Sequence, residues 1–134
     1  MTPVFADTSF YQALLNSQDA WHIPAKKCFA DLEESVVTTE YVLLELGALM
    51  SRSSTRAGFV AFVERTRRDP SVEVLPASEE LFNDGLALFA ARLDKEWSLT
   101  DCLSFVVMEK RGISSALTSD QHFIQAGYHA LMRE

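Results

Sequence analysis

Short apolar segments alternate with longer amphipathic ones along this chain, and this alternation restricts the fold more than any other feature of the sequence. Four apolar or β-branched segments predict buried strands, at residues 4–6, 35–38, 71–75 and 115–118, and residues 128–132 predict a last strand. The segments between them have helical periodicity, at about residues 9–16, 24–33, 39–51, 56–68, 78–95, 98–111 and 120–126. Strands separated by helices imply a parallel sheet with helices on its faces, which is the α/β class.

The composition is that of an ordinary folded domain. Of the 134 residues, 48% are hydrophobic and 23% are charged, so we expect a single domain over residues 1–134 with its own core. No apolar run approaches the roughly 18 residues of a membrane span, and no basic segment followed by an apolar stretch opens the chain. Cys28 and Cys102 lie far apart and outside any metal-binding spacing, which favours reduced thiols. We therefore expect a cytoplasmic protein that does not contact a membrane.

Four acidic residues occupy positions where a carboxylate is unusual. Asp7 and Asp120 lie just past the ends of predicted strands, Asp101 lies near the start of an apolar helix, and Glu45 lies inside one. Burying a carboxylate without a partner is costly, so four such residues favour a shared divalent cation. In parallel α/β sheets, ligands bind beyond the carboxyl ends of the strands, where Asp7 and Asp120 are predicted to lie. The pattern is typical of metal-dependent hydrolysis of phosphodiester bonds.

Each carboxylate also has an ordinary structural interpretation. An aspartate that follows a strand commonly caps the next helix, as Asp7 or Asp120 would, and Asp101 in a first turn complements the helix dipole. Glu45 is harder to explain in this way, because its neighbours along the helix are apolar. Glu40 is a competing acid on the same helix, about 140° around the axis. In the first turn of that helix, an exposed Glu40 is unremarkable.

Other catalytic patterns are absent from the sequence. There is no phosphate-binding glycine loop, dinucleotide fingerprint or nucleophile elbow, and the scattered His22, His122 and His129 are interpreted as packing or surface residues. The net charge is −7, whereas a protein that holds nucleic acid by charge alone is basic. Either nucleic acid is not the ligand, or the acids are concentrated at a site that metal ions neutralise.

The order of the motifs resembles that of the PIN-domain ribonucleases, and in particular the VapC-type toxins. The matching segments are FADTSF with Asp7, VLLELGAL with Glu45, SLTDCLSFVVMEKRG with Asp101 and ALTSDQHF with Asp120. The resemblance covers essentially the whole chain and is strongest over residues 97–126. It implies a three-layer α/β/α sandwich with a parallel sheet and Rossmann-like topology, in which a ring of acids holds Mg²⁺ or Mn²⁺.

The resemblance also implies roles for individual residues. Carried over one by one, the catalytic and metal-binding acids are Asp7, Glu45, Asp101 and Asp120. Four further residues are implied as supporting ones: the hydroxyls of Thr8, Ser9 and Thr118, which match positions that shape the site, and Asp94, an extra acid that precedes the third motif.

The function implied by the resemblance is that of an endoribonuclease toxin. Its expected partners are an RNA substrate, an antitoxin protein and a second copy of the chain in a homodimer. Two alternatives stay open on the sequence. One is a catalytically inactive PIN-fold module whose acids are remnants and which serves protein contacts. The other is a phosphoesterase that acts on a small substrate.

Overall fold

A computed structural model describes residues 2–134 and confirms the parallel α/β architecture. Its described residues form one sheet of five strands, all parallel, in the order β3-β2-β1-β4-β5. The strands are β1 (Val4–Ala6), β2 (Val36–Thr39), β3 (Val72–Leu75), β4 (Ser115–Leu117) and β5 (His129–Ala130). The central strands are the most apolar because helices cover both of their faces.

Seven α-helices in residues 2–134 complete an α/β/α sandwich. They are α1 (Thr8–Leu15), α2 (His22–Asp31), α3 (Glu40–Leu49), α4 (Ser53–Arg68), α5 (Glu79–Ala91), α6 (Leu99–Arg111) and α7 (Gln121–Gln125). Helix α5 packs closely on α6, since a Cβ built at Gly85 would lie 2.5 Å from Cδ2 of Leu103. Within the described chain, no helix combines the length and the apolar character that crossing a bilayer requires.

The core lies around the two central strands. Phe5 on β1 and Leu117 on β4 are almost completely buried, and Phe123 of α7 stacks against Phe5 with ring centroids 6.5 Å apart. Phe105 of α6 meets the same Phe123 ring edge-on at 4.9 Å. These contacts fix the start of α7 and one face of α6 against the end of the sheet where β1 and β4 finish.

Local sequence signals set most helix boundaries. The side chains of Asp7, Ser98 and Asp120 accept backbone N–H groups at the starts of α1, α6 and α7, which otherwise lack partners. Helix α6 ends at Gly112, whose φ of 64° is the left-handed conformation that glycine adopts without strain. The helix starts and this stop were therefore readable from the sequence.

Several predicted boundaries shift by a few residues, among them the start of α4 at Ser53 instead of residue 56, and two elements are clearly shorter than predicted. The last strand was predicted over residues 128–132, but only His129–Ala130 pair with β4, and Leu131–Arg133 turn into a 3₁₀ helix. Helix α5 was predicted to reach residue 95 and ends at Ala91, because Arg92 leaves the helical conformation and its side chain binds Asp94. Neither end carries a glycine or proline that would have marked it.

The strand order creates a crevice between β1 and β4. From β1 the chain proceeds to β2 and then β3 on one side, whereas β4 and β5 extend the sheet on the other side of β1. Such a reversal separates the connections that leave the two central strands and opens a ligand crevice at their carboxyl ends. Asp7 follows β1 at this crevice and Thr118 follows β4, and the Asp7 amide donates to the carbonyl of Leu117 at 3.1 Å.

Candidate active site

Asp7 is the most buried acid at the crevice. Its residue is 4% exposed, and Oδ2 accepts hydrogen bonds from the Ser9 hydroxyl at 2.8 Å and the Thr118 hydroxyl at 2.9 Å. The Ser9 amide approaches the same oxygen at 3.4 Å as the helix cap. Asp7 therefore has both the structural role that its position suggests and a hydroxyl donor, Thr118, that follows the neighbouring strand β4.

The two hydroxyls that hold Asp7 are themselves held by the backbone. The amide of Ser119 donates to Ser9 Oγ at 3.1 Å, and the amide of Asp120 donates to Thr118 Oγ1 at 3.0 Å. Each hydroxyl accepts from an amide and donates its own hydrogen to Asp7. The loop after β4 is thus tied to the end of β1, and one oxygen of Asp7 is fixed in position.

Asp101 is held at the start of α6 by a reciprocal cap. The Ser98 side chain accepts the Asp101 amide at 3.0 Å, and Asp101 Oδ2 accepts the Ser98 amide at 3.1 Å. The same Oδ2 lies 2.9 Å from Nδ1 of His122. Asp101 is 7% exposed, so this cap buries a carboxylate instead of leaving it in solvent.

Asp120 and His122 bring the start of α7 to this point. Asp120 Oδ1 accepts the His122 amide at 2.8 Å as the cap of α7 and lies 3.4 Å from His122 Nδ1. One ligand atom from each of Asp101, Asp120 and His122 lies within 4.8 Å of the others. Asp7 is linked to this group through Thr118 Oγ1, which accepts the Asp120 amide and donates to Asp7 Oδ2.

The pKa values of these acids reflect burial and mutual repulsion. The pKa of Asp7 is raised to about 7, mainly by burial; hydrogen bonds from the Ser9 and Thr118 hydroxyls oppose this rise, and the charges of Asp101 and Asp120 add to it. Burial also raises the pKa of Asp101, the hydrogen bond from His122 opposes this, and the charge of Asp120 adds to the rise. The site holds more negative charge than its surroundings stabilise, which is the condition that a cation relieves.

The three aspartates present free oxygens in a consistent way. Asp7 and Asp101 each use Oδ2 for every hydrogen bond they accept from the described residues, and Asp120 uses Oδ1. The second oxygen of each carboxylate has no donor among residues 2–134. Mg²⁺ and Mn²⁺ prefer carboxylate oxygens and keep several waters. The residues present therefore fit a divalent cation of this type.

Glu45 lies at the edge of the buried face of α3. It is half-buried and makes no hydrogen bond or ion pair with any residue between 2 and 134. Tyr41, one turn earlier on the same flank, contacts Phe82 of α5. The expectation that its apolar neighbours enclose Glu45 is only partly right, since Leu46 is buried but Leu44 is 72% exposed. Helix α3 carries apolar side chains on all of its faces, so some of them face the solvent.

Three of the four supporting residues lie at Asp7, and the fourth lies at the surface. Ser9 and Thr118 contact Asp7 directly, as the hydroxyls expected to shape the site. Thr8 is buried next to Asp7, and its hydroxyl has no hydrogen-bond partner among the described residues. Asp94 lies at the surface, where both of its oxygens bind the Arg92 guanidinium at 3.0 Å. That pairing gives Asp94 the weakest claim of the four.

His122 is the residue at the site that sequence reasoning missed. It was interpreted as a packing or surface histidine, whereas its ring contacts Asp101 and approaches Asp120. The available signal was its position in SDQHF, two residues after Asp120 at a helix start, since a cap and the residue whose amide it accepts are always close. The contact with Asp101, 21 residues away in the sequence, had no local signal.

Comparisons with known proteins identify the class of this fold and site. The fold is a parallel α/β/α sandwich with acidic residues at its switch point. The chain belongs to the PIN-domain family, whose model matches residues 4–127. The 23S rRNA-specific endonuclease VapC20 of Mycobacterium tuberculosis is 34% identical over 125 residues, which cover 93% of this chain and 95% of that protein.

Solved structures agree with this assignment. The crystal structure of Mycobacterium tuberculosis VapC20, a sarcin-ricin loop cleaving toxin, matches 93% of this chain and 95% of that one with a TM-score of 0.85. A toxin–antitoxin complex from Klebsiella pneumoniae has a TM-score of 0.62 at 12% identity, over 88% of this chain and 87% of that chain. FitAcB from Neisseria gonorrhoeae has a TM-score of 0.65 at 17% identity, over 95% and 94%. The last two show likeness of fold alone.

Proposed function

We propose that this protein is a metal-dependent endoribonuclease that hydrolyses RNA phosphodiester bonds and acts in the cytoplasm as the toxin of a toxin–antitoxin pair. The observation that carries the proposal is the arrangement of Asp7, Asp101 and Asp120 at the switch point. Each carboxylate has one oxygen held by protein donors and one oxygen without a described donor. Similarity to VapC20 over almost the whole chain supports RNA as the substrate.

In this proposal, Asp7, Asp101, Asp120 and Glu45 hold Mg²⁺ or Mn²⁺. Such a cation, when bound, lowers the pKa of water and offsets the negative charge on a scissile phosphate. The protein fixes the carboxylates before substrate arrives, because backbone amides orient the hydroxyls that hold Asp7 and the cap of α6 orients Asp101. Preorganised acids of this kind need no rearrangement during the reaction.

The distribution of surface charge supports contact with only a few RNA phosphates, and not with a continuous row of phosphates along a basic surface. Several basic side chains are already engaged with acids: Arg67 with Glu40, Arg92 with Asp94, Lys110 with Asp84 and Arg111 with Glu73. With a net charge of −7, the protein gains little general attraction for phosphates. The cation at the acids is then the main attraction for the scissile phosphate.

An antitoxin and a second copy of the chain are the proposed protein partners. Helix α5 exposes an apolar row, since Phe82, Leu86 and Phe89 recur at helical spacing and are 40–45% exposed, and Leu44 of α3 adds to the exposed apolar area. This row supports a homodimer face. The antitoxin is supported by the similarity to toxin–antitoxin proteins, and an acidic crevice favours a partner that brings a cationic side chain.

Cleavage of labelled RNA tests the proposed function. Purified protein is incubated with a structured ribosomal RNA fragment in Mg²⁺ or Mn²⁺, and EDTA is expected to abolish cleavage. Asp7→Asn and Asp120→Asn keep the side-chain shape but remove the charge that binds the cation, so activity should fall by orders of magnitude. Cys28→Ser and His129→Gln should cleave like the wild type, because both residues lie outside the site. Wild-type rates in Asp7→Asn, or RNA binding without any cleavage, would refute the nuclease assignment.

A further inference from the structure

His122 contacts Asp101 at the acid cluster, although it is not one of the proposed cation-binding residues. Its Nδ1 lies 2.9 Å from Oδ2 of Asp101, and its side chain is 29% exposed. That Oδ2 also accepts the Ser98 amide at 3.1 Å. Asp101 Oδ2 is thus held from two directions, by the cap of α6 and by a ring carried on α7, whereas Oδ1 has no donor in the described chain.

We propose that His122 is a positioning residue whose Nδ1–H fixes the carboxylate of Asp101 so that Oδ1 faces the divalent cation. The inference rests on the proposed function and adds a residue to it. A single amide donor leaves a carboxylate free to rotate about its last torsion, while two donors from different elements define its plane. When Asp101 is ionised, as a cation ligand is, its oxygen can only accept a hydrogen bond, so the contact then requires the proton on Nδ1.

The alternative, that His122 binds the cation through Nδ1, conflicts with the observed contact. A ligand nitrogen offers a lone pair, and Asp101 Oδ2 offers another. At 2.9 Å without a proton between them, the two atoms would repel each other. The direction of the ring is set by the backbone, since Asp120 Oδ1 accepts the His122 amide at 2.8 Å and fixes the start of α7. Side-chain substitution at His122 leaves that cap in place.

Two replacements of similar size separate the roles of the ring nitrogens. In His122→Asn, the amide nitrogen occupies the place of Nδ1, whereas in His122→Gln it occupies the place of Nε2. Binding of Mn²⁺ to the purified full-length protein without RNA is measured by isothermal titration calorimetry. We expect His122→Gln to bind Mn²⁺ about 10–100-fold more weakly than wild type, the usual effect of losing such a donor, and His122→Asn to recover most of the affinity.

The outcomes distinguish this inference from the proposed function. If the wild type binds no Mn²⁺, the proposed metal-dependent function fails first. If the wild type binds Mn²⁺ but the two variants bind it with the same affinity as each other, the positioning role is wrong. It is also wrong if His122→Gln keeps the affinity for Mn²⁺ and His122→Asn loses it. His129→Gln, on the exposed end of the chain, is the matched control and should bind like wild type.

A spectroscopic measurement covers the case in which a variant does not fold. In ¹⁵N-histidine-labelled wild type without metal, the His122 ring should carry its proton on Nδ1, and that proton should be protected from exchange. A ring without a proton on Nδ1 overturns the proposal whatever the variants do. Thermal unfolding in EDTA should show both variants folded, since Ser98 and the cap by Asp120 remain.

Discussion

Replacement of Asp7 by asparagine should remove a pH-dependent destabilisation of the metal-free protein. The pKa of Asp7 is about 7 in the folded protein, against an ordinary value of 3.8. The folded state therefore retains the proton over a range in which the unfolded chain releases it. Because the folded pKa is the higher one, the stabilising effect of this proton is complete below about pH 4 and is lost as the pH rises to about 7.

The magnitude follows from the same two pKa values. At about 1.4 kcal/mol for each pKa unit, the wild type loses about 4 kcal/mol of stability from this residue by pH 8 relative to acid pH. About 2.5 kcal/mol of that loss occurs between pH 5 and pH 8. The asparagine side chain in Asp7→Asn carries no charge, and its carbonyl oxygen can still accept from Ser9 and Thr118. The variant should therefore lack this pH-dependent loss of stability.

Urea unfolding in EDTA at pH 5 and pH 8 measures the difference. The free energy of unfolding of Asp7→Asn minus that of wild type should grow by about 2.5 kcal/mol over this interval. Asp69→Asn is the control of opposite sign, because hydrogen bonds from Ser71 lower the pKa of Asp69 at the surface. A wild type whose stability changes with pH in parallel with Asp7→Asn would refute the buried, repelled carboxylate at this site.

Three further results are expected. Mn²⁺ at a hundredfold excess over Kd should stabilise the folded wild type by about 2.7 kcal/mol and so raise its melting temperature. An equal rise in Asp120→Asn would contradict the site. Gly85→Ala should destabilise the fold by about 1–3 kcal/mol, because the added methyl group lies where α5 touches α6. Gly58→Ala, with open space around its Cβ, should stabilise α4 by about 0.5–1 kcal/mol. Equal effects of the two substitutions in urea unfolding would refute the close packing of α5 on α6. Leu86→Glu should convert a dimer to a monomer in light scattering while Ile23→Glu on α2 should not, and a wild type that is monomeric at all concentrations would remove the homodimer.

The sequence alone determined the class of fold and the starts of most helices. Alternating β-branched and amphipathic segments need only local periodicity to be recognised, and a parallel sheet follows from the length of the connections. Caps at Asp7, Ser98 and Asp120 act within four residues, so a short window contains the whole interaction. The family resemblance added the prediction of which acids belong together, and the family is confirmed.

Tertiary structure decided what each acid contacts. The hydroxyl of Thr118 reaches Asp7 across 111 residues, and His122 reaches Asp101 across 21, because strand order and the packing of α7 bring those segments together. Periodicity assigns a residue to a face of its own helix, but whether that face is covered depends on elements elsewhere in the chain. This is why Leu44 is exposed beside Glu45 on an apolar helix, and why a histidine that looked incidental lies against a buried carboxylate.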